Sequence, residues 1–461
     1  MQTLVWIHLA ASALVIGVAV LKFGMLELLP SLGWSMLMTL PFTLQSNTLG
    51  DGGARAVQFF GVFVVGLALL LGDIFSRSIQ ARIFSQVNFT LADHLSDYRP
   101  FMFWFLALAG AHVALMDHVP LFEQLRGVRD DRVLLQMREA TSKLLEVPEL
   151  LKFAFVWALT IAAPLTIYLL VVRRKLVLAS AFAVICVLYA RASLAKLPLY
   201  LLVTSCTLLL LPEIPKARRR LVLTIALVIS IPIAMNAALF LASNPLSVFR
   251  YGPPKERLEG LVASSTSAML PLTLGDRLRL MPKEEELTLT SSQRRYNYLV
   301  YRMFLVPAEV SSRWYEYFPR KSDGYIGTEG LVPGSRDRGY SHPANRVGLW
   351  AYASRFPAQY LASVHAYASI DADAYARFGV AGILGVGVVT LLLRVGLCAL
   401  RVSSPVTDAL YVIGLTLIAV LWPMASLQAA LVANGILLVL MLMYLYRRLA
   451  TTQFQRELPA K

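Results

Sequence analysis

Long apolar runs separated by short polar connections set the rhythm of this chain. They occupy Leu4–Phe23, Val57–Leu71, Phe101–Val113, Phe153–Val172, Leu176–Tyr189, Leu197–Leu211, Leu221–Leu241, Phe378–Leu400, Ala409–Met424 and Ala429–Tyr446. About 20 apolar residues are needed for a helix to cross the hydrocarbon core of a bilayer. Several runs reach that length and the others approach it when their ends are extended, so the pattern predicts about ten transmembrane helices. Re-entrant segments add to that number where a run is broken. Leu32–Leu44, rich in Met and Leu but interrupted by Gly33 and Pro41, is expected to lie flat or re-enter. In Pro120–Glu149, Arg126, Arg129 and Arg132 recur every three residues, and Leu134, Leu135, Met137, Leu144 and Leu145 supply an apolar face. That pattern suits a helix lying at the membrane interface. The expected fold is an all-α polytopic membrane protein. Residues 1–244 form a first helical block with interfacial segments at 27–55 and 120–149. Residues 245–377 form one large, mainly helical polar loop, and 378–461 a second block with a tail. The first run lacks a small-residue cleavage site and reads as an anchor.

Composition agrees: 57% of the 461 residues are hydrophobic and only 15% charged, against about 25% charge in a soluble domain. The net charge of +15 would suit nucleic acid, but its placement does not. Arg173-Arg174-Lys175 and Lys216-Ala-Arg218-Arg219-Arg220 sit in short connections, where cations mark the cytoplasmic side. Arg77, Arg82, Arg99, Arg401, Arg447 and Arg448 fall on that side by alternation. Both termini are then inside; the segments 27–55 and 120–149, the turn around Arg191–Lys196 and the large loop are outside. Cys186, Cys206 and Cys398 lie within apolar runs, and the six histidines show no ligand spacing, so no metal site or cofactor is expected.

The large loop is built to fold. It holds 18 aromatics among the 133 residues from Pro245 to Arg377, denser than the 10% of the whole chain, whereas disordered segments are poor in aromatics. Its 17 basic and 13 acidic residues nearly balance, so an anionic ligand would be met by selected arginines. Arg295 and Arg302 are seven apart, which on a helix leaves about 20° between them, and Glu309 continues the stripe. Arginine forks match phosphate oxygens and stay charged beside lipid. Tyr296, Tyr298, Trp314, Tyr315 and Tyr317 offer faces on which sugar rings can stack. Cations and aromatics together suit a sugar carried on a polyprenyl pyrophosphate, whose leaving group needs charge stabilisation more than an acid. An interfacial aromatic belt is the plainer reading of the same rings.

The run Tyr298-Leu-Val-Tyr-Arg302-Met-Phe-Leu-Val-Pro307-Ala, with Tyr315 and Phe318 downstream, resembles the arginine, aromatic and proline signature in the long periplasmic loop of Wzy-type O-antigen polymerases. Ser369-Ile-Asp371-Ala-Asp373-Ala-Tyr375-Ala-Arg-Phe378-Gly379-Val-Ala-Gly382 is similar to the segment with which those enzymes re-enter the membrane, ending in a Gly-x-x-Gly pair read as a close-packing device. Arg191-Ala-Ser193-Leu-Ala-Lys196-Leu-Pro198 resembles their short polar turn, and Arg132 through Arg138-Glu139 another arginine-bearing periplasmic loop. The resemblance covers the second half of the chain better than the first.

It implies a GT-C-like glycosyltransferase of the bacterial inner membrane, multi-pass, with both termini cytoplasmic and the large loop periplasmic. Such an enzyme moves the growing polysaccharide from undecaprenyl pyrophosphate onto a new lipid-linked repeat unit, in some systems beside a chain-length regulator. By position, Arg302 would grip the pyrophosphate; Lys196 and Arg191 would hold the second phosphate; Arg138 and Arg132 would complete a cationic ring, and Arg295 would assist. The acceptor base stays open among His365, Glu309 and Asp371. Tyr367-Ala368 stands where the related O-antigen ligases carry a histidine-asparagine pair, which favours polymerase over ligase. Asp371-Ala-Asp373 is read as helix-capping acids and not as a metal site. A flippase or transporter for the same lipid-linked glycan is the alternative of a different class. It would need charges along a route, whereas the spans carry few besides Arg394.

Overall fold

A computed structural model describes residues 27–45, 52–86, 97–116, 119, 122, 148–192, 196–210, 306–322, 324–329, 342–352, 366–402 and 404–457. Its regular structure is all helical, with no strand among these residues. The first helical stretch comprises α1 (Leu29–Trp34), a π-turn at Ser35–Thr39 and α2 (Leu40–Gln45). Then come α3 (Gly52–Gln86), α4 (Arg99–Ala114), and α5 (Glu149–Trp157) joined to α6 (Ala163–Val172) through a π-turn at Ala158–Ala162. Next are α7 (Leu176–Ala192), α8 (Lys196–Leu210), α9 (Val306–Tyr317) and α10 (Pro343–Tyr352). The chain closes with α11 (Ile370–Leu400), α12 (Pro405–Leu421) and α13 (Ile436–Glu457), the last preceded by a π-turn at Ala429–Ala433.

Three stretches are long and apolar enough to cross a membrane: Gly52–Ser76, Glu149–Val172 and Ile370–Leu400. Leu176–Ala190, Leu197–Leu210 and Pro405–Leu421 are apolar but shorter. The runs Leu4–Phe23 and Leu221–Leu241 lie outside the described residues, as does the interfacial segment expected near 120–149 apart from its edges. Two π-turns have a local cause. Pro41 and Pro164 remove a backbone donor and crowd the carbonyl four residues back, and a widened turn just upstream absorbs both.

Helices α3 and α11 form the spine. They run parallel, with Gly72 pressed so close to Arg394 that a Cβ there would lie 2.6 Å from the arginine Cβ. Across this contact Arg394 donates from Nε and Nη2 to Asp73 Oδ1, at 3.0 and 2.5 Å. Arg394 is wholly buried and Asp73 nearly so. The same guanidinium donates to Glu27 O at 3.1 Å, and Ser31 Oγ donates to Asp73 Oδ2 at 2.6 Å. The start of α1 is thereby tied to the inner part of the spine. Trp34 Nε1 then reaches Val62 O at 3.0 Å, and Phe42 stacks on Phe59. The stretch 27–45 therefore climbs antiparallel to α3, packed between α3 and α12 with Gly33 against the Ala419 backbone. Of the two expectations for this segment, lying flat is the one this burial corrects: with Ser31 and Trp34 buried against neighbouring helices, it is part of the bundle.

Lys175 and Tyr98 (Nζ to OH 2.9 Å), Phe101 stacked on Tyr446, and Arg447 bonded to Ala399 O place the basic connections at one end of the bundle. The start of α3, the ends of α7 and α12, and the packed pair α9 and α10 occupy the other, here called the lobe end.

Helix α11 is not continuous. Gly379 has φ 63° and ψ −145°, which breaks the helix after Phe378. The break frees the carbonyls of Ala376 and Arg377, and the turn at 324–329 captures them: Ile326 N–H donates to Ala376 O at 2.9 Å and Gly327 N–H to Arg377 O at 3.0 Å. Gly382, expected to let two helices approach, instead lies against Ala374 of its own chain because the break folds the two halves together. A side chain at Gly379 would also press on the Tyr325 ring, its Cβ 2.9 Å from Cζ. Gly379→Ala is expected to cost at least about 1–3 kcal/mol, the usual cost of a side chain in glycine-only backbone space. A lowered thermal midpoint of the detergent-purified protein would show it, and an unchanged midpoint would contradict the strain assigned to that position.

Candidate functional site

Helix α9 carries the end of the run that the resemblance singles out, Val306 to Ala308, and Tyr315 downstream of it; Tyr298 to Leu305 lie outside the described residues. Pro307 and Glu309 stand in its first turn, where a missing N–H and a negative charge are both tolerated. Ala308, Ser311, Ser312, Tyr315 and Phe318 recur at helical spacing and form one buried face, with Trp314 beside them. That face is polar in detail. Ser312 Oγ donates to Gln58 Oε1 at 2.6 Å, and Gln58 Nε2 donates back to Ala308 O at 3.2 Å, which ties α9 to the start of α3. Ser311 Oγ accepts from Ser369 N–H at 3.1 Å and shares a hydrogen bond of 2.8 Å with Ser369 Oγ. Trp314 Nε1 donates to Ala366 O at 2.7 Å, and Tyr315 OH to Asp371 Oδ2 at 2.8 Å.

The segment before the break is therefore stitched to α9 along its length. Helix α11 begins at Ile370 with Ser369 at its N-cap and no side-chain capping bond, so Asp371 and Asp373, expected to cap a helix starting near Ala374, lie within its first turn. Their surroundings differ. Asp373 accepts Arg377 Nε at 3.3 Å and Leu427 N–H at 2.9 Å. Arg377 Nη1 also donates to Glu329 O at 2.8 Å and Gly327 O at 3.3 Å. This buried pair joins α11, the 324–329 turn and the approach to α13. Asp371 is fully buried, and its Oδ1 has no hydrogen-bond partner. Burial first, and then the Asp371 carboxylate, push the Tyr315 phenol well above its ordinary pKa, so it stays a proton donor to that carboxylate.

Of the three aromatics expected to stack on sugar within α9, Trp314 and Tyr315 have their rings committed to this packing, at 1% and 2% exposure. Tyr317 is half-buried, edge-on to Phe318 and 5.5 Å from the Trp350 ring of α10. Glu309 is half-buried near the start of α9. Arg191 ends α7 and Lys196 opens α8 at the lobe end, but their side chains lie outside the described residues. Arg302, His365, Arg132, Arg138, Arg295 and Tyr298 lie outside them as well. No group of His, Cys, Asp or Glu among the described residues could hold a metal.

Sequence reasoning missed Gln58 and Tyr325, which act only through tertiary contact, and the Arg377 clamp, whose i,i+4 spacing from Asp373 was a usable signal. No family model matches the chain, and neither a curated protein nor a solved structure is significantly similar to it.

Chemically, the described part of the lobe end is a rigid mount with one buried carboxylate held by a phenol. Arg377→Ala strands Asp373 without its cation and removes the donor to two carbonyls. The expected cost is about 3–5 kcal/mol, read as a fall in thermal midpoint and increased proteolysis near residue 330. Wild-type resistance on both measures would rule the clamp out.

Proposed function

We propose that the protein is an O-antigen polymerase of the Wzy type, a glycosyltransferase acting at the periplasmic face of the bacterial inner membrane. Its donor is a polysaccharide on undecaprenyl pyrophosphate, and its acceptor the sugar end of a lipid-linked repeat unit. The observation that supports this most is the docking of α9 onto the start of α11. Tyr315, downstream of the first resembling run, meets Asp371 of the second, more than fifty residues away, and Ser311 with Ser369 and Trp314 with Ala366 join the chain beside them. The gathering of Arg99, Lys175, Arg401 and Arg447 at the opposite end supports placing the lobe outside the cytoplasm. Arg302 falls four residues before α9 in sequence. In this reading it meets the pyrophosphate together with Lys196, Arg191, Arg138, Arg132 and Arg295, while the base is drawn from Glu309, His365 and Asp371.

Deleting the gene and separating lipopolysaccharide by gel electrophoresis tests the reading. Polymerase loss leaves core bearing a single repeat unit, whereas ligase or flippase loss leaves bare core. Arg302→Ala should reproduce the single-repeat pattern at normal protein level; long chains in that variant would remove Arg302 from the mechanism.

One observation favours a carrier of lipid-linked glycan: Asp73 and Arg394 form an ion pair within the long apolar helices. A pair that only holds α1, α3 and α11 together is replaceable by apolar residues of similar volume. The double variant Asp73→Leu/Arg394→Met should therefore keep polymerisation, whereas Arg394→Ala alone should be destabilised by about 3–5 kcal/mol. A stable double variant with bare core would point to transport.

A further inference from the structure

We propose that Tyr317 and Trp350 form a stacking platform for the pyranose rings of a glycan chain, on the outer side of the lobe. The proposal rests on the polymerase reading and adds a subsite to it. With Trp314 and Tyr315 spent in packing, the aromatic surface that α9 still offers is Tyr317 at its C-terminal end, about 16 Å from its start at 1.5 Å per residue. Arg302 falls next to the opposite end in sequence. Across from Tyr317 stands Trp350, tilted by 52° with the ring centroids 5.5 Å apart. Helix α10 buries Ala344 and Val347, and Ala344 O accepts from Ala366 N–H, while Trp350 keeps 40% of its surface exposed and so presents a large apolar ring beside Tyr317.

The surroundings suit a saccharide. Lys321 N–H donates to Tyr317 O at 2.8 Å, which carries the helical turn past Tyr317 and brings the exposed Arg320 and Lys321 beside it. Flat apolar rings flanked by charged donors match the two sides of a sugar, whose C–H face stacks while its hydroxyls bond at the edges. The rings are rigid and lose little entropy on binding. A lipid-facing belt would use the same residue types, and the lipid-only arm of the footprinting below separates the two.

A platform remote from the reacting end should hold the growing chain between additions and so set its length. Trp350→Leu keeps an apolar side chain but no flat face. It should at least halve the modal number of repeats on the lipopolysaccharide ladder while still joining repeats, and Trp350→Phe should restore it. Trp350→Leu with a wild-type ladder at equal protein level would overturn the proposal. A second measurement needs no variant: hydroxyl-radical footprinting of the full-length protein in nanodiscs, with lipid-free O-polysaccharide from the host as probe. Oxidation of Trp350 and Tyr317 should fall at least threefold with the probe. Rings already protected by the nanodisc lipid alone, or equally oxidised with and without polysaccharide, would overturn it too. Because the deletion phenotype is scored separately, failure here leaves the polymerase reading standing, and bare core on deletion removes that reading on its own.

Discussion

When α11 breaks at Gly379, the carbonyls of Ala376 and Arg377 lose the amides that an unbroken helix would supply, and Ile326 and Gly327 replace them. Left buried without a partner, each such carbonyl would cost on the order of a few kcal/mol. The turn at 324–329 is therefore a condition for the broken helix, not an ornament on it. Arg377 makes the dependence mutual, since it bonds the carbonyls of that turn from within the helix the turn completes. The broken helix and the 324–329 turn therefore stabilise each other.

Helix α11 also organises the rest of the bundle. Near its start Asp373 and Arg377 hold the lobe, and near its end Arg394 holds Asp73 of α3 and the carbonyl of Glu27. Both pairs are buried, so neither gains much beyond the cost of desolvating it. Their worth is in choosing partners. An apolar stripe accepts any apolar neighbour, whereas a buried arginine accepts only the segment that brings its carboxylate and carbonyls. The Asp73–Arg394 pair thus favours α3 among many similar apolar helices as the neighbour of α11 in a chain that is 57% hydrophobic, whereas Asp373 and Arg377, both within α11, hold the 324–329 turn and Leu427.

What could be read from the residues follows the range of the forces involved. Apolar runs are local, and Phe153–Val172 and Phe378–Leu400 indeed form helices of nearly those bounds. The helix around Val57–Leu71 extends further, over Gly52–Gln86; Gln58 within the run and Asp73 just beyond it are both buried, satisfied by Ala308 and Arg394 from hundreds of residues away. Leu32–Leu44 carried its breakers openly in Gly33 and Pro41, but not the neighbours that bury it. Gly379 was taken for one half of a packing pair, since the residues around it do not reveal a positive φ. Trp314 and Tyr315 are a different case: their spacing with Ala308, Ser311 and Phe318 marks a buried face, and that periodicity outweighed their suitability for stacking on sugar.

In the proposed function, a site meeting a lipid-borne substrate would need its parts held in fixed positions, because misplacement of even about 1 Å forfeits much of the advantage of holding reactants together. Helix α9 meets that need through bonds to two segments: Gln58 of α3, and the continuous stretch from Ala366 through Ser369 to Asp371 that opens α11. Anchors from two segments oppose rotation of the helix about its own axis. Its buried face is consumed in doing so, which is why side chains of catalytic type on that face, Tyr315 and Asp371 above all, are poor choices for direct contact with a bulky glycan. Chemistry on this mount has to come from what the anchored helix presents at its two ends and from its neighbours at the lobe end. The buried phenol and carboxylate act by keeping it still.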